Sequence, residues 1–403
     1  MGFIIRIIIK NKLITMNKKI LLALLTLLST LGCRAQSAPS FQALADSMAQ
    51  ALITHFWGAS FPGYPDRYYF NYGSDLSDLS TGNYWPEAHA IDVITDAYLR
   101  TGDQRYSALY PLWWQGAPRY NFAHDAQRPW WNPFVDDMEW ITLAQIRMFE
   151  ATGDTTYVHR ARQIYDDWIW STWGPDDEAP WHGGITWKTD VSKSKNACSN
   201  GPAAIIAAKL AKLYRQSGFK QGKRQRTYLT EAKAIYAWLR ANLFDHETGA
   251  VYDNMNSKGR ISRATFTYNS GTFIGAAHQL YQLTGDKRYL DDAVRAANYV
   301  IHQKSDNFGV PGDAVQGDGG LFHGIFFRYF APLAKEPGLP QATRDHFRNY
   351  LLYCAKVVAQ QGVNPRTHLY GGRWRQAPGD HEPVCLTAHL TGCMLIEAAC
   401  TLQ

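Results

Sequence analysis

Two adjacent carboxylates, Asp136 and Asp137, begin a segment whose apolar residues recur at helical spacing. Two neighbouring carboxylates repel each other when both are ionised. At a helix N-terminus, free N–H groups and the helix dipole stabilise one of them as an anion, and its charge raises the pKa of the other. One ionised and one protonated carboxylate are the nucleophile and the acid/base that a retaining glycosidase requires. The pair therefore predicts cleavage of a glycosidic bond, provided that it lies at an open site.

The same pair also has a purely structural interpretation, because Asp is a preferred helix N-cap that contributes about 1 kcal/mol. Asp-Asp pairs also occur elsewhere in the chain, for example at 166–167 and 176–177. We interpret the first as the solvated face of a helix and the second as part of a loop. The position of 136–137 in the fold must therefore decide between a cap and a catalytic pair.

Apolar spacing of three and four residues predicts a chain built from helices, with no strand-rich block. This pattern favours an all-α fold of helical hairpins. The predicted helices are 41–56, 86–101, 104–112, 136–151, 155–172, 198–216, 226–243, 270–283, 287–303, 320–333, 341–361 and 383–401.

Three short connections share the sequence Thr-Gly-Asp, at 101–103, 152–154 and 284–286, and Ser-Gly-Phe at 217–219 resembles a fourth copy. In such a turn, Gly ends one helix and Asp caps the next. A repeated helical hairpin buries its apolar face only against neighbouring hairpins. Six hairpins of this kind can close into a toroid.

The other connections are long and rich in aromatic residues, Gly and Pro. Because they alternate with the short turns, we expect all of them on one face of the ring, and long loops in compact domains are usually functional. Trp offers a flat apolar surface with a hydrogen-bonding group, as a sugar ring requires. We expect Trp168 and Trp238 in the core, but a cleft position for the loop residues Trp130, Trp131, Trp181, Trp187 and Trp374. The long connections are 57–85, 113–135, 173–197, 244–269, 304–319 and 362–382.

The first residues are typical of a secretory signal, since Lys18 and Lys19 precede an apolar run over 20–28 and small residues near Gly32. The run is shorter than the roughly 18 residues of a membrane span. We therefore predict a signal peptide over 1–33 and a single catalytic domain over 34–403, exported to a bacterial periplasm or cell surface.

Two details of this leader have alternatives. Cys33 is a candidate for lipid modification and attachment to a membrane, whereas plain cleavage after Ala35 is the other interpretation. Met16 is favoured as the first residue, with Met1 as the alternative.

The basic charge of the chain resides mostly in this leader. Residues 1–33 hold five basic residues and no acidic one, so without them the formal charge falls from +6 to +1. The remainder has no electrostatic footprint for nucleic acid. The remaining cysteines lack C-x-x-C spacing, so we expect buried apolar residues and no zinc site, with one disulfide left open. They are Cys198, Cys354, Cys385, Cys393 and Cys400.

Further stretches accompany the Asp pair, all in or beside the long connections. With them the chain resembles the family 76 glycoside hydrolases, which are endo-α-1,6-mannanases with an (α/α)6 barrel. The resemblance runs from about Trp85 to beyond Arg328. The matching stretches are Asp136-Asp137-x-x-Trp140, Gly183-Gly184-Ile185-x-Trp187, Lys195-Asn196-Ala197-x-Ser199-Asn200-Gly201, Leu243-Phe244-Asp245 with Val251-Tyr252-Asp253, Thr267-Tyr268-Asn269-x-Gly271, and Asp318-Gly319 followed by Phe322-x-Gly324-Ile325.

The resemblance implies that Asp136 is the nucleophile and Asp137 the acid/base, with no cofactor. It also implies a substrate that is α-mannan or its oligosaccharides, hydrolysed in the backbone with retention. We expect the protein to be a monomer. The polar residues among the predicted subsites have the alternative of capping helices or forming turns. The predicted substrate-binding residues are Trp140, Trp187, Asn196, Asn200, Asp253, Tyr268, Asn269, Asp318 and His323.

Departures from the family pattern at Ile141, Thr186 and His323 affect the cleft and not the carboxylate pair. Three other functions remain as alternatives. They are transglycosylation, glycan binding without catalysis by an exported protein, and the activity of a uronyl hydrolase or epimerase on the same toroid. The last predicts a basic or histidine-rich cleft, for which the candidates are His89, His182, His246, His323 and His381.

Overall fold

The helical elements follow the predicted pattern closely. The computed structural model describes residues 40–61, 63, 66–71, 84–123, 125–174, 182–189, 194–216 and 227–403. Within them the α-helices are α1 Phe41–Phe56, α2 Trp85–Thr101, α3 Gln104–Ser107, α4 Tyr110–Gly116, α5 Val135–Thr152, α6 Thr155–Ile164, α7 Ala197–Gln216, α8 Tyr228–Leu243, α9 Thr267–Thr284, α10 Lys287–Gln303, α11 Gly319–Ala334, α12 Gln341–Val357 and α13 Leu386–Cys400.

The short turns have the predicted geometry at each Thr-Gly-Asp copy. Gly102, Gly153 and Gly285 end α2, α5 and α9 in the left-handed region, with φ of 70°, 75° and 74°. The following aspartates each accept a hydrogen bond from the backbone N–H two residues further on. These turns therefore join antiparallel helices as predicted, whereas the fourth copy at 217–219 lies outside the described residues.

The helices form two concentric rings. In the inner ring α2, α5, α7, α9, α11 and α13 each pack against the next, and α13 packs against α2, which closes the circle. The outer helices α1, α6, α8, α10 and α12 lie against this ring, and α3 and α4 together complete the outer layer between α2 and α6. Within the described ranges, each short turn follows an inner helix, so the long connections lead to the N-terminal ends of the inner helices.

Small residues allow the inner helices to approach one another closely. A Cβ atom at Gly324 of α11 would lie 2.8 Å from the Cα of Thr391 in α13, and one at Gly271 of α9 would lie 2.7 Å from the Cα of Phe326. The Gly324 N–H donates to the Thr391 hydroxyl over 3.0 Å. Larger side chains at these glycines would push the helices apart and open the ring.

A three-stranded antiparallel sheet lies in the connections, where the sequence pattern predicts no strand. The strands are β1 Lys195–Asn196, β2 Tyr252–Met255 and β3 Ile261–Thr265, in the order β1-β2-β3. Asn196 pairs with Asn254, and the register of β2 against β3 is irregular between Tyr252 and Asn254. Strands this short have too few residues for alternation to be recognised. They nevertheless join two connections that carry predicted site residues.

A network of ion pairs joins three inner helices toward the C-terminal end of the inner ring. Arg147 of α5 contacts Asp96 and Asp92 of α2 at 2.5 and 3.1 Å, and Arg328 of α11 contacts Asp96 at 2.8 Å. A cavity of about 450 Å³ beside this network is lined mainly by the C-terminal halves of the inner helices. The Asp136–Asp137 pair stands at the opposite, N-terminal end of the ring, so this cavity is separate from it.

Residues Phe41–Gln403 form one compact unit. Among the described residues, no helix is long and apolar enough to span a membrane. The predicted leader, with Met16, Cys33 and Ala35, lies outside the described residues.

Candidate active site

The Asp136–Asp137 pair occupies the first turn of α5, where backbone N–H groups are free of helical partners. Phe134, the residue before the helix, caps it without a side-chain hydrogen bond. The chain around Trp187 lies against this turn, because the Val135 N–H donates to the Trp187 carbonyl over 2.8 Å. The pair is thus not the cap of its helix, which removes the structural alternative of an N-cap aspartate.

Hydrogen-bond donors surround Asp136. Burial raises the pKa of Asp136 to about 7, while hydrogen bonds from the Cys198 thiol, from backbone N–H groups and from the Trp187 indole lower it. Among the described residues, the Oδ1 atom of Asp136 accepts no hydrogen bond. Burial is the largest of these effects, so the pKa of Asp136 is raised on balance even though the donors favour its anionic form.

Negative charges surround Asp137. Burial, then the charge of Asp136 and then that of Asp318 raise the pKa of Asp137 well above its usual value. No stabilising donor opposes these effects. Asp136 consequently ionises first as the pH rises, and Asp137 retains its proton over a higher pH range.

The segment that carries Trp187 is held in place by Asn200. The Asn200 amide accepts a hydrogen bond from the Ile185 N–H over 2.8 Å and donates to the Ile185 carbonyl over 3.0 Å. A third bond joins the same amide to the Asn196 carbonyl at 2.9 Å. Asn200 has no exposed surface. These contacts favour a role in positioning Trp187 over the direct sugar contact that the family resemblance implies.

Trp187 itself is partly exposed beside the pair. Its ring meets the Phe134 ring edge-on at 5.1 Å, and the Lys188 ammonium lies 4.2 Å from the Phe134 centroid and 4.8 Å from that of Trp187. A cation above two aromatic rings stabilises their arrangement. Trp187 therefore combines an accessible face with a donor to Asp136.

Tyr268 and Asp253 lie near Asp136, since the charges of both aspartates act on Tyr268. The Tyr268 ring stacks on Phe322 at 4.0 Å with an interplanar angle of 11°. Asp253 in β2 accepts hydrogen bonds from Asn269 at 3.2 Å and from Asn254 at 2.7 Å. Burial, followed by Cys198, Asp253 and Asp136, raises the pKa of Tyr268 well above its usual value, which brings these groups into one site.

Asn196 and Asn269 are almost completely buried, with 9% and 1% of their surface exposed. Asn196 accepts a hydrogen bond from the Ser194 hydroxyl over 2.7 Å. Since its neighbours in β1 and β2 already surround it, Asn196 presents little surface to a ligand. The Oδ1 atom of Asn269 has no protein partner among the described residues, but this atom is buried as well.

Trp140 lies below the pair, where its ring packs at 4.9 Å from His89 and 6.3 Å from Trp85. Only 3% of Trp140 is exposed, so it belongs to the core and offers a sugar almost no surface. Burial, with a smaller effect of Arg328, lowers the pKa of His89 well below its usual value, so His89 is neutral.

His323 is fully engaged with the protein. Its Nδ1 atom hydrogen-bonds the Thr267 hydroxyl and its Nε2 atom the Gly312 carbonyl, both at 2.9 Å. Burial lowers the pKa of His323 to about 4. Both ring nitrogens of this neutral imidazole already have protein partners. His323 is therefore better suited to holding the connection around Gly312 in place than to binding a sugar.

Two of the aromatic predictions are wrong. Trp130 and Trp374 come from long connections but have only 2% and 1% of their surface exposed, so they are core residues. Trp374 also donates to the Gly312 carbonyl over 3.2 Å. The connections fold back over the ring and contribute their own apolar core, which spacing alone does not reveal. Trp238 is buried as predicted, and Trp181 lies outside the described residues.

Cys198 is the site residue that sequence reasoning missed, since its spacing predicts only a buried apolar cysteine. Its place between Asn196 and Asn200, in a stretch that matches the family, is the signal that could have identified it. Other candidates of the histidine-rich hypothesis, His182, His246 and His381, are exposed. No three His, Cys, Asp or Glu side chains in the described part of the chain converge as metal ligands.

Comparison with known proteins agrees with this geometry. The family model "Glycosyl hydrolase family 76" matches residues 40–402. The structure is similar to that of the α-1,6-mannanase GH76A of Salegentibacter sp. HEL1_6. The two sequences are 34% identical, the match covers 90% of this chain and 100% of that chain, and the TM-score is 0.79. That structure is of an inactive double variant in complex with α-1,6-mannotriose. The structure is also similar to that of the Lin0763 protein of Listeria innocua, which is 27% identical. This match covers 90% of this chain and 97% of that chain, with a TM-score of 0.77.

Sequence relatives are more distant. The meiotically up-regulated gene 191 protein of Schizosaccharomyces pombe is 27% identical over 45% of this chain and 45% of its own length. A second protein of that yeast matches at 22% identity over 53% of this chain and 48% of its own length, so the chain spans about half the length of these curated relatives. From the family match over nearly the whole described chain and the closed ring of helical hairpins, this chain belongs to glycosyl hydrolase family 76 and has an (α/α)6 barrel.

Proposed function

We propose that this protein is a retaining, endo-acting α-1,6-mannanase that cleaves the backbone of α-mannan. The observation that carries the proposal is the division of the carboxylate pair, with donors around Asp136 and negative charge around Asp137. The similarity to an α-1,6-mannanase that binds α-1,6-mannotriose supports the choice of mannan.

In the first step, the Asp136 carboxylate attacks the anomeric carbon. The bond from this carbon to O6 of the next mannose breaks, and the proton of Asp137 passes to O6. The product is a mannosyl ester of Asp136. In the second step Asp137, now ionised, removes a proton from water, which attacks the anomeric carbon and releases Asp136. Two displacements retain the anomeric configuration, and the cycle needs no cofactor.

The two environments suit these separate tasks. A nucleophile must be ionised at the working pH, and hydrogen bonds to the Asp136 carboxylate stabilise that form. An acid must hold a proton at the same pH, and the charges of Asp136 and Asp318 favour the protonated form of Asp137. Exchanging the roles would place the acid among donors and the nucleophile among anions.

Several side chains around the pair could bind mannose units. Trp187 offers a partly exposed ring for stacking. Asp253, Tyr268 and Asp318 supply polar groups close to the pair. A site built from several connections on one face of the ring suits a polymer that extends in both directions, which favours endo cleavage.

We also propose that the leader over 1–33 exports the protein, so that it meets α-mannan outside the cytoplasm. Mass spectrometry of the mature protein tests this proposal. A first residue near Gln36 would indicate plain cleavage, and a lipid-modified N-terminal Cys33 would indicate a membrane anchor. An uncleaved N-terminus would contradict export through a signal peptide.

The decisive experiment follows the products formed from α-1,6-mannotetraose by the wild type and by the Asp136→Asn and Asp137→Asn variants. We expect α-configured products by NMR in the first minutes, and a loss of at least about 10²-fold in kcat for each variant. Asp167→Asn is the matched control, because Asp167 belongs to another Asp-Asp pair and is exposed.

Other outcomes would contradict the proposal in distinct ways. Initial β-products would indicate inversion, and longer oligosaccharides would indicate transglycosylation. Binding without cleavage by the wild type would indicate a glycan-binding protein. Unchanged turnover in Asp136→Asn or Asp137→Asn would remove that residue from the catalytic pair.

A further inference from the structure

Three aromatic rings from the connections before α5 and α7 form a continuous strip beside the proposed active site. The Trp187 ring meets the Phe134 ring edge-on at 5.1 Å, and the Phe134 ring meets the Phe122 ring edge-on at 6.3 Å. Trp187 and Phe134 are partly exposed, and 53% of Phe122 is exposed. These three residues are the aromatic strip, and Phe122 is its outer end.

The inner end of the aromatic strip is fixed to the first turn of α5. The Val135 N–H donates to the Trp187 carbonyl over 2.8 Å, and Phe134 forms an antiparallel bridge with Lys188. Asp136 directly follows Val135 in the chain, so Phe134 is two residues from the proposed nucleophile. The strip is therefore continuous with the site at which the proposed reaction takes place.

The backbone that carries Phe122 is anchored by the residues just before it. Tyr120 has no exposed surface, and its ring packs 4.6 Å from the Tyr68 ring. The Oδ1 atom of Asn121 accepts a hydrogen bond from the Asn132 amide over 2.9 Å, and both asparagines are buried. The exposed ring of Phe122 thus rests on a fixed base. Because it joins other rings in one patch, it is typical of a binding surface and not of an isolated exposed side chain.

We propose that the aromatic strip is an extended subsite, in which Phe122 stacks on a mannose unit remote from the bond that is cleaved. This inference rests on the proposed function of the protein as an α-1,6-mannanase. A pyranose ring has C–H groups on its faces and hydroxyl groups at its edge, so it matches an aromatic surface flanked by hydrogen-bond donors. The Lys188 ammonium, 4.2 Å from the Phe134 centroid, supplies such donors beside the strip.

A remote subsite changes the preference for chain length without contact to the reacting atoms. Contacts that are equally strong in the ground state and the transition state lower KM and leave kcat unchanged. In this scheme a short oligosaccharide at the carboxylate pair ends before Phe122, whereas a long chain gains the contact. The preference for linear α-1,6-mannan over α-1,6-mannotetraose should therefore depend on the Phe122 ring.

The test compares Phe122→Ala, which removes the ring, with Phe122→Trp, which keeps an aromatic face. Phe308→Ala is the matched control, because 68% of Phe308 is exposed but its ring lies against the Arg375 guanidinium at 4.6 Å, in the connection before α11. For each variant, kcat and KM are measured on α-1,6-mannotetraose and on linear α-1,6-mannan. Light scattering reports the oligomeric state, because a second copy of the chain is another occupant of an exposed aromatic patch.

We expect Phe122→Ala to raise KM for linear mannan about 10-fold with kcat unchanged, so that the preference for mannan over mannotetraose falls about 10-fold. We expect Phe122→Trp to restore this preference and Phe308→Ala to retain it. An unchanged preference in Phe122→Ala would overturn the proposal, and so would an equal loss in Phe308→Ala. A wild-type dimer that Phe122→Ala dissociates, with unchanged kinetics on mannan, would assign the patch to a second copy instead.

The inference can fail separately from the proposed function. Calorimetry on a variant with both Asp136→Asn and Asp137→Asn measures binding without cleavage. In this background we expect Phe122→Ala to weaken the binding of linear mannan about 10-fold relative to that of mannotetraose. Mannan binding that does not depend on Phe122 would refute the subsite, even if the wild type cleaves mannan. Binding that depends on Phe122, in a protein whose wild type cleaves no mannan, would support the subsite and refute the proposed hydrolase.

Discussion

The indole Nε1 atom of Trp85 donates a hydrogen bond to Oδ1 of Asp318 over 3.1 Å, between residues 233 positions apart in the chain. Trp85 is the first residue of α2, and Asp318 directly precedes α11. This bond holds the Asp318 carboxylate at the N-terminal end of the ring, where its charge acts on Asp137. The proton affinity of the proposed acid therefore depends on the closure of the barrel.

Replacing Asp318 by Asn should lower the pKa of Asp137, because one of the negative charges that raise it is removed. The acid then loses its proton at a lower pH, so the alkaline limb of kcat/KM should move to lower pH. The acidic limb, which reports Asp136, should change less. The measurement is the pH profile of hydrolysis of α-1,6-mannotetraose. An unmoved alkaline limb would mean that Asp318 does not influence the acid.

The acidic limb of the wild type should lie near neutral pH. The pKa of Asp136 is raised to about 7 by burial, and only the ionised carboxylate can attack. Protonation of Asp136 as the pH falls therefore removes activity. At pH 5 about one molecule in a hundred would hold ionised Asp136, and kcat/KM should be about 100-fold below its plateau. A flat profile between pH 5 and pH 7 would contradict this assignment.

Asn200→Ala should impair catalysis through Trp187, although Asn200 has no exposed surface. The variant loses three hydrogen bonds, two of them to Ile185, and we expect the free energy of unfolding to fall by about 1–3 kcal/mol. A displaced Trp187 also withdraws a donor from Asp136, so kcat/KM should fall about 10-fold or more. Asn242→Ala is the control, since the Asn242 amide bonds only within its own helix, to the Trp238 carbonyl. Equal effects of the two changes on kcat/KM would argue against the role of Asn200.

Gly285→Ala should reduce the free energy of unfolding by about 1 kcal/mol, through backbone strain alone. Gly285 has φ of +74°, and an added Cβ would meet no atom within 4 Å. Gly312→Ala is the matched control, because its Cβ would also meet no atom within 4 Å and its backbone lies outside the left-handed region. Denaturant unfolding of both variants measures the difference. Equal stability would show that the turn tolerates Ala.

Much of the site could be predicted from the sequence, but the roles of its members could not. Asp136, Asp137 and Trp187 were identified from motifs, and the structure brings them together. Asn200 instead acquires its role from its hydrogen bonds to Ile185, in the connection that carries Trp187. His323 likewise has both ring nitrogens engaged by residues remote in sequence.

The sequence by itself determined the helices, the Thr-Gly-Asp turns and the alternation of long and short connections, because apolar spacing and capping depend on near neighbours. It also placed Asp136 and Asp137 at a helix N-terminus. Only the tertiary structure decided that Trp374 is core while Trp187 faces the site, and that donors gather at Asp136 while charge gathers at Asp137. Burial and pKa depend on groups brought together from distant parts of the chain, and no local pattern encodes that proximity.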